Sequence, residues 1–149
     1  MRGGSIMFEL DPRLAADTVV VGRTPLSRLL LMNDARYPWL ILVPERDGMV
    51  EAFDLPESEQ RQLWQEAMAI GVWMKSHFGA DKFNVAALGN QVAQLHLHLI
   101  ARFHSDPAWP GPVWGVGARA SYSEQSLASM LHTLRQGLAA HLSLEVGDD

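Results

Sequence analysis

The chain has 149 residues, 48% of them hydrophobic, with 12 basic and 17 acidic side chains and a formal net charge of −5. This apolar content supports a packed core and argues against wholesale disorder. The acidic balance argues against long nucleic acid as a partner, though not against a small phosphate ligand, which backbone amides and a few polar side chains can hold. No cysteine is present, which removes disulfides and thiolate zinc sites and fits a cytoplasmic, reducing location.

The opening, MRGGSIMFEL, lacks the basic and apolar sections of a secretory signal, and no apolar run approaches the length of a membrane span. There is no internal repeat, so one domain over residues 1–149 is expected. Pro12–Asp17 reads as a short helical turn. "DTVVVGRTP" reads as a strand closed by Gly22 and Pro25. Residues 27–33 form a second strand, "NDARYP" a polar turn, and "WLILVP" a third strand, apolar on both faces and therefore central. Pro56 suits the first turn of a helix, with Glu57 and Glu59 at its positive end. Leu63, Ala67, Ile70 and Met74 then mark one helical face, and Gly79 ends the helix near Phe78. A strand over 82–88, a tight link "GNQVA" and a strand over 94–103 follow. "SDPAWPGPVWGVG" is too rich in proline and glycine to be regular. The last helix, over about 122–142, opens with Ser121 and Glu124 as a capping box and carries Leu127, Met130, Leu131, Leu134, Leu138 and Leu142 on one face. Neighbouring strands with few helices predict an antiparallel sheet of about five strands and two main helices, hence an α+β fold.

The chemistry concentrates in "QLHLHLIARF". Strand alternation puts Gln94, His96, His98, Ile100 and Arg102 on one face and the leucines on the other, with same-face neighbours roughly 7 Å apart. Three readings are open. The face can be a polar surface in solvent. His96 and His98 can be two of three zinc ligands, although His77 and His132 lie on predicted helices and this strand supplies no carboxylate. Or one imidazole attacks phosphorus while its neighbour hydrogen-bonds the reacting group. A stiff strand suits the last role, because it aims the ring.

With its flanks, this stretch resembles the histidine-triad (HIT) family of nucleotide hydrolases and transferases. The family motif is His-φ-His-φ-His-φ-φ, with φ apolar, and Gln94-Leu95-His96-Leu97-His98-Leu99-Ile100 fits all but the first position. "NVAALGNQVA" is similar to the family's asparagine-bearing strand and Gly-Gln turn, and "LLLMNDARYPWLILVPERD" to its ribose-side strand pair. The match spans about 25–115. The resemblance implies a HIT-like antiparallel sheet with helices on it and a homodimer with a continuous sheet. It implies attack by His96 on the α-phosphorus of a nucleoside phosphate anhydride, ester or amidate, such as a dinucleoside polyphosphate or a phosphoramidate. Water then releases the nucleotidyl-His96 intermediate, with no cofactor and no metal in the chemical step. His98 would contact phosphate oxygen. Asn90 or Gln91 would take the place of the family's phosphate-touching glutamine, Asn84 that of the asparagine on the preceding strand, and Asn33 or Asp34 that of the ribose-binding aspartate.

Gln94 departs from the pattern. Its backbone carbonyl can still accept from Nδ1–H of His96 and leave Nε2 free, but its amide cannot shuttle protons near neutral pH. Leaving-group protonation would then rest on His98 or water; the alternative is a weakly active or non-catalytic nucleotide-binding dimer. Trp39 is a second departure, where many family members carry histidine. Elsewhere, Arg102 reads as a surface arginine, Trp64 and Trp73 as core or dimer interface, and the "PAWPGPVWG" loop as either self-packed or bordering the nucleotide site.

Overall fold

The computed structural model describes residues 8–147, so most of the MRGGSIMFEL opening lies outside the described residues. The chain runs through α1 (Pro12–Asp17), β1 (Thr18–Arg23), β2 (Ser27–Met32), β3 (Trp39–Pro44), a 3-10 turn (Ala52–Asp54), α2 (Glu57–Phe78), β4 (Lys82–Ala86), β5 (Leu97–Arg102) and α3 (Glu124–Ala139). The strands form one sheet in the order β1-β2-β3-β5-β4, and every pairing is antiparallel. This is the α+β architecture that the element order predicts.

The central position of β3 follows from its composition: all six of its residues are buried, and it pairs with β2 on one side and β5 on the other. The bounds of α2 follow from its punctuation. Pro56 stands at its N-cap, and Gly79 closes it in the left-handed region at φ 65°, where glycine has no Cβ to clash. Its face of Leu63, Ala67, Ile70 and Met74 packs in one core with Leu29, Leu31, Leu40, Leu42, Leu97 and Leu99 from the sheet and Leu134 and Leu138 from α3. The leucine side of β5 therefore lies under the helices, as alternation requires. Buried Glu66 fastens α2 to the first hairpin, accepting from Thr24 Oγ at 2.7 Å and from the Leu26 amide at 3.0 Å. No described helix is long and apolar enough to cross a membrane.

Several boundaries differ from the sequence reading. β5 begins at Leu97 rather than at residue 94, because the Leu95 amide bonds to Met49 O in a loop, at 3.0 Å, instead of joining the ladder. α3 is capped by Ser123, whose hydroxyl accepts from the Ser126 amide at 3.1 Å, not by Ser121. The reason is tertiary: Asn33 Oδ1 takes the Tyr122 amide at 2.9 Å and holds the approach to the helix out of helical geometry. Arg102 is a correction of another kind. It is 2% exposed, and it grips both Asp106 oxygens at 2.8 and 3.0 Å, the Gly111 carbonyl at 2.8 Å and Asn84 Oδ1 at 2.9 Å. It is a buried clasp that fastens the Pro/Gly-rich loop to the sheet. That pairing outweighs the cost of burying the Asp106 carboxylate and holds its pKa down at about 2.

The face of the sheet away from α2 and α3 carries a second apolar cluster that includes Leu14, Leu30, Trp39, Ile41, Ile100 and Val113. It is covered by α1 and the loop after β5, and the histidines open onto this side.

Candidate active site

His98 sits on β5, in register with Ile41 of β3 and Ala86 of β4; His96 immediately precedes the strand. Both are 5% exposed, and their ring centroids are 4.9 Å apart. The sequence placed them on one face, and the structure brings them together there.

Their hydrogen bonds fix which nitrogen of each ring can do what. His96 Nδ1 lies 2.7 Å from the Gln94 backbone oxygen. A carbonyl only accepts, so Nδ1 carries the hydrogen, and in the neutral ring the lone pair is on Nε2. His98 has the opposite tautomer. The Trp39 indole N–H, which can only donate, reaches His98 Nδ1 at 3.0 Å, so the His98 proton is on Nε2. Burial first, and the adjacent His96 ring second, push the His98 pKa down to about 3, against a hydrogen bond to the Leu88 backbone that works the other way. His98 is thus a neutral donor near pH 7. Trp114 packs edge-on against both His98 and Trp39, at centroid distances of 4.9 and 5.9 Å.

The rings border a cavity of about 350 Å³, which is within the size range of small-ligand sites. α1 supplies Arg13, Leu14 and Asp17 to its wall; the sheet supplies Met32, Trp39 and Ile41; and the link before the motif supplies Leu88, Asn90, Gln91 and Val92. A smaller adjoining cavity reaches His96 from the side of Glu51, Asn90 and Gln94. Asn90 borders both chambers, while Gln91 borders only the larger. The loop reading also resolves: Trp114 lines the site, whereas Trp109 packs on His104 and under the Arg102 guanidinium.

The other candidates are engaged elsewhere. Asn84 holds Arg102. Asn33 holds the Tyr122 amide. Asp34 is 2% exposed and chelates Arg36 at 2.8 and 3.0 Å. Burial works against the Asp34 charge, but Arg36 and the Ala120 amide outweigh it and hold the carboxyl below its ordinary range. Neither Asn33 nor Asp34 borders the cavity; the acidic residue that does is Asp17. Gln94 contributes its carbonyl to His96, but its side chain faces the N-terminal segment, donating to Glu9 O and accepting from the Asp11 amide, both at 2.9 Å. It fastens the approach to α1 onto the motif.

The HIT domain model matches residues 13–105 of this chain. The chain belongs to the HIT family. Among solved structures, a histidine triad protein from Marinobacter aquaeolei VT8 is 48% identical, with a TM-score of 0.87, over 90% of this chain and 98% of that one. Histidine triad proteins from Bradyrhizobium japonicum (44%, TM-score 0.85, 87% and 97% covered) and Sinorhizobium meliloti 1021 (41%, TM-score 0.87, 89% and 98% covered) are similar over nearly their whole length. No curated protein matches the chain significantly.

Within this HIT fold the contribution of α1 was invisible in the sequence, because nothing local to Pro12–Asp17 marks it as a wall of the site. The partner that brings it there, the Gln94 side chain, is more than eighty residues away. The zinc reading meets a geometric obstacle: the Trp39 N–H occupies the His98 Nδ1 lone pair that a metal would need. Among the described residues no group of three or more His, Asp or Glu could hold a metal ion.

Proposed function

We propose that this HIT protein is a nucleotide hydrolase or nucleotidyl transferase that works at the α-phosphate through a covalent nucleotidyl-His96 intermediate. One observation carries the reading: the 2.7 Å contact of His96 Nδ1 with the Gln94 carbonyl, which leaves the lone pair on Nε2, in a ring that borders the cavity. The Nε2 lone pair forms the N–P bond as the bond to the leaving group breaks, and the electron pair departs with that group. Water then attacks phosphorus, releases a proton to solvent, and returns the pair to Nε2. His98, a neutral donor 4.9 Å away centroid to centroid, is suited to a non-bridging phosphate oxygen, which would take over its Nε2–H from the Leu88 carbonyl. Asn90 and Gln91 are suited to the other oxygens, and the apolar wall of Leu14, Met32 and Ile41 to a nucleobase. The active unit in this reading is a homodimer.

Rapid-quench mass spectrometry with an aryl ester of AMP tests the reading. The expected result is a labile AMP adduct on His96. His96→Ala should lower turnover about a thousandfold or more while nucleotide still binds. Tight binding with neither turnover nor adduct in the wild type would instead make the chain a nucleotide-binding module.

A further inference from the structure

The proposed chemistry leaves one question: what protonates the departing group. An alkylamine or an alkoxide leaves phosphorus only with a proton supplied by an acid, whereas a phosphate, sulfate, carboxylate or phenolate is stable enough to leave as an anion. Among the described residues, the titratable side chains that border the two cavities, besides His96, are Arg13, Asp17, His98 and Glu51. The Trp39 N–H fills the His98 Nδ1 lone pair, so this ring has no second proton to collect, and giving up the one on Nε2 would leave an imidazolate. Arginine does not deprotonate in proteins. Asp17 is open to solvent and ion-paired with Arg119 at 3.2 Å, and Glu51 is exposed; neither has the apolar enclosure in which carboxyl general acids are found. Gln94 stands where the family motif has its first histidine, and both polar atoms of its amide are held by Glu9 and Asp11.

We infer that this site has no general acid for the departing group, and that it selects bonds whose leaving group is stable as an anion, such as a phosphate, polyphosphate, sulfate or carboxylate, over alkyl amidates and alkyl esters. The inference rests on the nucleophile reading above. Arg13 supplies the complementary charge. It is exposed on the cavity wall, and among the described residues its guanidinium has no hydrogen-bond or ion-pair partner. It is available to the negative charge that builds up as the bond to phosphorus breaks. The step balances without an acid: the N–P bond forms, the P–O bond breaks, the leaving oxygen takes the electron pair, and His96 keeps its Nδ1 proton.

The test is a series of AMP aryl esters whose phenols differ in acidity, together with diadenosine tetraphosphate and an alkyl phosphoramidate of AMP. kcat/KM reports adduct formation in such a scheme. It should fall roughly tenfold for each unit of leaving-group pKa, and the alkyl phosphoramidate should turn over about a thousandfold or more below the tetraphosphate. A flat dependence, or an amidate cleaved as well as the anhydride, would reveal an acid and overturn the inference while leaving an adduct on His96 intact. No turnover and no adduct with any member of the series is a different result, and it overturns the nucleophile reading and this inference together. Arg13→Gln should cost about tenfold more on the tetraphosphate, whose leaving polyphosphate carries several negative charges, than on an AMP aryl ester, whose leaving phenolate carries one; equal losses would remove Arg13 from the leaving-group side.

Discussion

His98 shows how one residue ties site chemistry to stability. Its ring is buried among Trp39, Trp114 and His96, with a folded pKa of about 3 against an ordinary 6.5. Between those values the unfolded chain binds a proton that the folded chain refuses. Stability from this group is therefore full above the ordinary value and declines as pH falls towards 3, by about 1.4 kcal/mol per unit. Urea unfolding of wild type and His98→Asn at pH 7 and pH 5 measures this. The wild type should lose about 2 kcal/mol more than the variant across that interval; equal losses would mean that His98 takes its proton without resistance from the fold. The sequence showed that His96 and His98 share a face, because alternation along a strand needs no tertiary information. It could not show their tautomers. One depends on the carbonyl of Gln94, and the other on an indole 59 residues away. The same limit applied to Arg102, which ends a polar face and so reads as solvent-exposed; its partners Asp106 and Gly111 lie in a loop with no periodicity to place it.

At the scale of elements, local punctuation was legible and tertiary interruption was not. Pro56 and Gly79 bracket α2, and "WLILVP" is β3 from end to end, because proline and glycine act on their own backbone. The start of β5 and the cap of α3 were set by Met49 and Asn33, which contact those segments from distant parts of the chain. The crossing of α2 and α3 gives a prediction that local propensity gets wrong in sign. Gly137 lies inside α3, where alanine is ordinarily better by about 1 kcal/mol. A Cβ there would run into the Trp73 indole, which is 9% exposed and stacked on His77 with centroids 4.6 Å apart, so it has little room to yield. Gly137→Ala should therefore destabilise the protein by about 1 to 3 kcal/mol, read as a lower thermal midpoint. An unchanged or raised midpoint would show that the two helices can separate at little cost.

For the whole molecule, the two edges of the sheet differ. β1 is bridged by Glu145, which exchanges two backbone hydrogen bonds with Arg23 at 2.7 and 2.8 Å. β4 pairs only with β5 among the described residues. Beside β4, a mostly apolar depression is formed by Met68, Gly71, Val72, Ala80 and Phe83, with Lys75 and Ser76 completing its lining. On the same helix Val72 is 72% exposed and Trp64 54% exposed. An unpaired strand edge next to an exposed apolar helix face is a combination that monomeric proteins generally cover or break with charge. A second copy related by a two-fold axis fits both features at once. It would continue the sheet from β4 to β4 and bring the two α2 faces together, in a closed isologous contact. We therefore expect sedimentation at twice 16.5 kDa, and Val72→Glu, which places a charge in the middle of the contact, should shift the protein to the monomer. Because Ala86 of β4 pairs directly with His98, loss of the partner would also remove support from the strand beside the site, so the monomer should form the His96 adduct more slowly. A Val72→Glu protein that still sediments as a dimer would move the contact away from β4 and α2.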